Sequence, residues 1–381
     1  MRVLYVNHGA LVSGAERSLL ELLQGLPPQV SAEVACPGAG PLAAALGSLS
    51  VPVRSLPSTE GSFRLHPVHT SRMIFDLARM ARSLRRHVRT GGFEIVHANS
   101  IRAGLVSALA FGFRRVRRRP LVVVHVRDSL PKSPVGNAVR RLIAAAADHV
   151  IAISAYTAAN FGGARTVVVH NPVDVDRFTP VGAVAGFAGQ GPLLGVAGQI
   201  TPWKGQDDAI RALALLEHPA RLLVVGEAKF VSEATRYDNR AYERSLHELA
   251  AGLAVTFTGE REDMPDVMRA CDLVLVPSWE EPFGRVIIEA MACGKPVLAT
   301  DQGGPPEILT NGVDGRLLPP RSPALWAQVI DELLADDARR KAMGAAGRER
   351  AVAAFGRDEH VGQVLAMYSC SDPSRSTSIS G

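Results

Sequence analysis

The sequence predicts an α/β chain of two doubly wound domains in tandem, and three observations carry that expectation. Short β-branched runs alternate with helical segments, the pattern of parallel sheets. The alternation breaks once, at a Gly/Ala/Pro stretch over 180–192, and then restarts. A chain of 381 residues, 47% hydrophobic and 21% charged, also suits about two globular domains at roughly 100–200 residues each.

In the first series, 2–6, 33–36, 94–98, 121–126, 149–153 and 166–169 read as strands; in the second, 193–197, 221–225, 255–257, 273–276 and 296–299 do. The helix expected over 71–89 lines Ile74, Leu77, Leu84 and Val88 on one face. Beyond Arg321 the pattern is helical to Phe355. The expected division is 1–180 and 190–355, with a hinge over 180–192 and a helix over 357–368 that could pack on either domain, the first included. A Ser-rich tail, 369–381, is expected to be disordered.

The N-terminus offers a run of four apolar residues before Asn7 and His8, too few for a signal-peptide core. The long uncharged stretches 34–53 and 178–203 are cut by Pro and Gly, so no spanning helix is expected. Cys36, Cys271, Cys293 and Cys370 have no C-x-x-C spacing, which argues against a disulfide framework or zinc site and for a reducing cytoplasm.

Charge is uneven. Residues 1–180 hold 22 Lys and Arg against 10 Asp and Glu, a net +12, while the remainder carries −7. Much of the excess lies in Arg114–Arg119 and in Arg72, Arg79, Arg82 and Arg86 at helical spacing. A solvated face is one reading; attraction to an anionic membrane surface or anionic acceptor is the other. Nucleic acid is not expected, because no helix-turn-helix, zinc or stacking-aromatic pattern accompanies the arginines.

Two doubly wound domains facing an interdomain cleft would bring the carboxyl ends of both strand sets together, where ligands of such sheets bind. The first loop carries Gly14 just before an apolar helix, where the backbone could approach a phosphate. Neither it nor Gly195-Val196-Ala197-Gly198 is the G-x-G-x-x-G fingerprint, which disfavours a dinucleotide dehydrogenase.

The strongest pattern follows the strand at 273–276: Glu281-Pro282-Phe283-Gly284-Arg285, an apolar stretch, and Glu289. If helical throughout, Glu281 and Glu289 would stand about 12 Å apart on one side. Each carboxylate can accept from vicinal hydroxyls of a sugar or ribose, and the helix start at Phe283-Gly284-Arg285 offers a positive dipole to a diphosphate. An unpaired carboxylate inside that apolar stretch would be costly to bury.

Glu281-Pro282-Phe283-Gly284 with Glu289 resembles the E-x7-E signature of retaining glycosyltransferases of family 4, which have the GT-B fold of two Rossmann-like domains. Further likeness lies in Asn171-Pro172-Val173-Asp174, in Gly198-Gln199 with Lys204-Gly205, in Phe257-Thr258-Gly259, and in Gly303-Gly304-Pro305-Pro306-Glu307. It covers nearly the whole chain to about Tyr368. It implies transfer of a hexose or aminohexose from a UDP- or GDP-sugar to a hydroxyl acceptor, with retention, no obligatory metal and no cofactor. In that reading Lys204 neutralises the leaving diphosphate, Glu281 orients the donor sugar and Glu289 binds the ribose diol. Gln199, Phe283, Gly284, Arg285 and Gly14 complete the donor site.

The chain departs from the family at Gln199, where Arg is usual, and Arg285 is a candidate replacement. It departs again at Arg127, where the family often has a His before the Asp, leaving His125 and Arg127 both as catalytic candidates. Asp174-Val175-Asp176 imitates a D-x-D metal motif but is expected to cap or turn. Alternatives are a nucleotide-sugar epimerase of the same fold and a non-catalytic nucleotide-sugar binder. The acceptor, whether lipid-linked, polysaccharide or a small natural product, has no readable code. The expected setting is the cytoplasm or the inner face of its membrane.

Overall fold

The computed structural model describes residues 1–58, 67–112, 119–130, 133–162, 166–229 and 237–369, with backbone alone over 67–74. Arg114, Arg115, Arg117, Arg118, His66, Cys370, the tail beyond 369 and the side chain of Arg72 therefore lie outside it. The chain divides into two compact units, Met1–Pro172 with Arg357–Gly381, and Val173–Gly356.

In the first unit the strands are β1 (Arg2–Val6), β2 (Ser31–Cys36), β3 (Val53–Ser55), β4 (Ile95–Ala98), β5 (Leu121–Val126), β6 (His149–Ala152) and β7 (Thr166–Val168). They form one parallel sheet in the order β3-β2-β1-β4-β5-β6-β7. Alternate residues of each strand point to opposite faces, and both faces are dry. Leu4, Val6, Val96, Val122 and Val124 join one apolar cluster with Leu77, Met80 and Leu84 of the helix Pro67–Gly91. Val3, Tyr5, Ile95, Val123 and Ile151 join the other, with Leu19 and Leu22 of the helix Gly14–Gln24. The last helix, Arg357–Ser369, completes that second face with Val361, Val364 and Tyr368.

The second unit holds β8 (Leu193–Ala197), β9 (Arg221–Val225), β10 (Val255–Gly259), β11 (Leu273–Val276), β12 (Val297–Thr300) and β13 (Arg316–Leu318), parallel in the order β10-β9-β8-β11-β12-β13. Its core joins Leu194, Val196, Leu222, Leu273, Leu275 and Leu298 to Ile210, Leu246, Trp326 and Ile330 from three helices. The edge strands β3 and β13 are not among the strands read from the sequence.

The hinge expected over 180–192 is corrected to Pro172–Val173. The Gly/Ala/Pro stretch has few side chains to bury, yet arginines of the second unit bind its carbonyls. Arg269 donates to Thr179 O (2.9 Å) and Ala183 O (2.6 Å), and Arg221 donates to Phe187, Ala188 and Gly191 O (2.9–3.1 Å). Cys36, Cys271 and Cys293 are buried free thiols. Among the described residues no helix is long and apolar enough to cross a membrane.

Candidate active site

In an open parallel sheet the chain changes direction at one point, and loops leaving the two strands there part to form a crevice. In the second unit that point lies between β8, which leads to β9, and its neighbour β11, which leads to β12. The loop after β8 carries Lys204, and the loop after β11 carries Glu281.

Each loop is held by tight backbone geometry. Pro202–Lys204 makes one 3-10 turn that ends at Gly205, whose φ of +69° is left-handed; a Cβ there would stand 2.2 Å from Pro277 O. Trp279 N donates to Trp203 O at 2.8 Å, joining the two loops. Glu281 is fixed from the other side, since its N donates to Gln302 O (3.2 Å) and its O accepts from Gly304 N (2.7 Å).

Lys204 Nζ donates to Glu281 Oε2 at 2.6 Å, and Ser278 Oγ donates to the same oxygen at 2.9 Å. The ammonium also lies 4.3 Å from the Trp203 ring centroid, a cation–π contact. Glu281 is 6% exposed, so this carboxylate is balanced inside the protein by one cation and one hydroxyl. The neighbouring Trp279 ring carries the Arg321 guanidinium at 3.7 Å. Ser278, three residues before Glu281, and the aromatic Trp203 beside Lys204 are cues legible in the sequence. Arg321 had no such cue, because only the fold brings it to Trp279.

Glu281 and Glu289 do not share a helix. The helix runs Arg285–Ala292, with Gly284 (φ +106°) before it and Glu281 in the loop. The extended loop, pinned by Gln302 and Gly304, prevents an earlier start. Glu289 is buried at 8% exposure and accepts from Arg285 at 3.1 Å, one helical turn away. That pair resolves the cost of a carboxylate among Ile287, Ile288 and Met291, and it turns Arg285 toward Glu289. Phe283 is 2% exposed and packs edge-on against Phe355, so its ring belongs to the core. Gln199 is half-buried, and its carbonyl accepts from Gln206 Nε2 at 2.9 Å.

In the first unit the candidates take different parts. Gly14 opens its helix behind Ser13, whose N and Oγ both donate to Glu16 Oε2 (3.0 and 2.5 Å), a capping arrangement. Arg127 is 5% exposed and turned inward: it donates to Asn99 Oδ1 (2.9 Å), Ser18 Oγ (2.9 Å), Asn171 Oδ1 (2.7 Å) and His125 Nδ1 (3.3 Å). Its guanidinium ties strand ends to the first helix and to the segment that closes the unit. His125 is fully buried, 5.5 Å from the His97 ring and stacked on His360 at 6.1 Å. Burial and the Arg127 charge hold its imidazole well below the usual range, so it stays neutral. It packs inside the sheet face. Asp174 Oδ1 accepts from the backbone of Asp176 (3.2 Å) and Arg177 (3.1 Å), a turn.

Two family models match successive parts of the chain: Glycosyltransferase Family 4 over residues 12–177 and Glycosyl transferases group 1 over 183–350. A D-inositol 3-phosphate glycosyltransferase of Catenulispora acidiphila is 34% identical over 306 residues, 73% of this chain and 72% of that protein. The chain belongs to glycosyltransferase family 4. A D-inositol 3-phosphate glycosyltransferase of Xylanimonas cellulosilytica is 37% identical over 217 residues, where the match spans 54% of this chain and about half (51%) of that protein. Among solved structures, Anabaena HepE in complex with UDP and glucose aligns with a TM-score of 0.79 at 25% identity, covering 97% of this chain and 99% of that one. Sucrose-phosphate synthase of Thermosynechococcus elongatus shares the fold, with a TM-score of 0.76 at 22% identity over 96% and 98% of the two chains. The two parallel Rossmann-like sheets of this family 4 chain are thus the GT-B fold.

Proposed function

We propose that the chain transfers a hexose or aminohexose from a UDP-sugar to a hydroxyl acceptor, with retention at the anomeric carbon and without a metal. The observation that carries this reading is the Lys204–Glu281–Ser278 cluster at the switch point of the second sheet. The choice of UDP draws on the UDP and glucose in the HepE complex, and a polyol phosphate acceptor is suggested by the names of the curated relatives.

In transfer the bond from the anomeric carbon to the β-phosphate oxygen breaks, a bond to the acceptor oxygen forms, and the hydroxyl proton leaves with the phosphate. Negative charge therefore grows on the diphosphate. Lys204, drawn from Glu281 to those oxygens, stabilises it beside the dipole of the helix Arg285–Ala292. Glu281, released from the ammonium and steadied by Ser278, accepts from the sugar hydroxyls. Glu289, held by Arg285, is assigned to the ribose diol. Retention and metal independence rest on the family 4 resemblance.

The test is UDP release from UDP-sugars with and without polyol-phosphate acceptors and chelator, with the product anomer read by NMR. Transfer that survives chelation and keeps the donor configuration is expected. Bound UDP without turnover under any acceptor would instead favour a binder, and a product whose sugar is isomerised on the nucleotide would favour an epimerase.

A further inference from the structure

The helix Pro67–Gly91 carries six arginines and one acid, Asp76. Its inner face is in the core through Leu77, Met80, Ala81, Leu84 and Val88. On the outer face Phe75, 62% exposed, is followed by exposed Arg79, Arg82, Arg86 and Arg89. Steps of four and three residues set these five side chains along one line, about 21 Å long at 1.5 Å per residue. Arg79 lies 5.8 Å from the Phe75 ring centroid. Among the described residues no carboxylate pairs with Arg79, Arg82, Arg86 or Arg89. Arg85, beside the line, is spent otherwise: it donates to Ala110 O (2.6 Å) and Leu109 O (3.4 Å) at the end of the helix Ile101–Phe111, where Leu109 is itself 44% exposed.

Like charges at these spacings repel, so the row works against the helix that bears it. Its charge suits a partner that is flat, anionic and apolar below its surface. We propose that this face docks the first unit on an anionic lipid bilayer, the guanidinium groups pairing with phosphodiester headgroups and the Phe75 ring entering the headgroup boundary. Planar guanidinium forks match phosphate oxygens, and an aromatic ring is at home at that depth. A single ring at one end, rather than rings interleaved with the arginines, fits a bilayer better than stacked bases.

The experiment is flotation of the purified full chain with vesicles of phosphatidylcholine alone or mixed with phosphatidylglycerol. Binding to the mixed vesicles only, reversed by salt, is expected. Each arginine near an anionic surface contributes about fivefold to partitioning, so the triple variant R79E/R82E/R86E should bind at least about 100-fold more weakly. Phe75→Ser should weaken binding to the mixed vesicles at low salt, and an unchanged affinity would take the ring out of the contact. Unchanged thermal midpoints and UDP affinity in these variants separate lost docking from lost folding or a lost donor site. Equal binding to neutral vesicles, an unaffected triple variant, or capture of RNA with no affinity for anionic vesicles would overturn the proposal.

Discussion

Lys204 and Glu281 neutralise each other at 2.6 Å, so each is useful to a donor only after the pair is parted. Replacing either by Ala leaves the other charge uncompensated as well as removing one contact. In the proposed reaction turnover should fall by about 10² or more in both variants, the scale for losing a transition-state charge partner. Initial rates of UDP release check this, and near-normal rates would remove both residues from the mechanism. The histidines make a separate prediction. Burial, with the charges of Arg127 and His360, lowers His97 to about 3, and His125 is lowered in the same way. In the unfolded chain both titrate near 6.5, so below that value the unfolded state binds more protons. Stability is fully present above about pH 6.5 and is lost as pH falls toward the folded values, at about 1.4 kcal/mol per pH unit for each histidine. Denaturant unfolding across that range should show the slope, and a His97→Phe/His125→Phe double variant should flatten it. At this scale order and spacing along the chain single out Lys204, Glu281 and Glu289, and the fold pairs the first two with each other and the third with Arg285. The surroundings of Arg127 are not legible in this way, since a cation at a strand end looks outward-facing until Asn99, Ser18 and Asn171 are seen gathered around it.

At the scale of elements, the site loops depend on backbone that only glycine allows. Gly303, at φ +97°, pairs with Glu281, and a Cβ there would stand 2.1 Å from Glu281 O. Gly303→Ala should therefore push the Glu281 loop off its anchor, lowering the thermal midpoint and cutting kcat/KM while the rest of the sheet stays folded. Far-UV circular dichroism with donor kinetics distinguishes this from general unfolding; unaltered kinetics would mean the loop tolerates the shift. The long strands were legible because both faces of each are buried and read as continuous apolar runs, as in Leu121–Val126. Helix starts were less so. Glu281 looked like a helical position because the apolar spacing begins at Val286, but its hydrogen bonds to Gln302 and Gly304 come from another strand's loop.

At the scale of the molecule, the two units are unequal in how the chain builds them. Val173–Gly356 is continuous, whereas Met1–Pro172 takes its last helix from Arg357–Ser369. Cutting after Gly356 would bare the apolar face under Val361, Val364 and Tyr368, worth about 1.5–3 kcal/mol for each side chain lost from it. Calorimetry should then show a lowered transition for the first unit and an unshifted one for the second; a common shift of both would mean that the units unfold together. This division was half legible. The break in strand alternation near 180 marked two domains, but the true crossing at Pro172–Val173 depends on arginines far along the chain. The same return path has a consequence during synthesis on the ribosome. Val173 N donates to Phe355 O, so the chain leaves and re-enters the first unit at neighbouring points, and the helix that seals that unit emerges only after the whole of the second. The half that is translated first thus waits with an open face until the second has been made, while that second half can close before it.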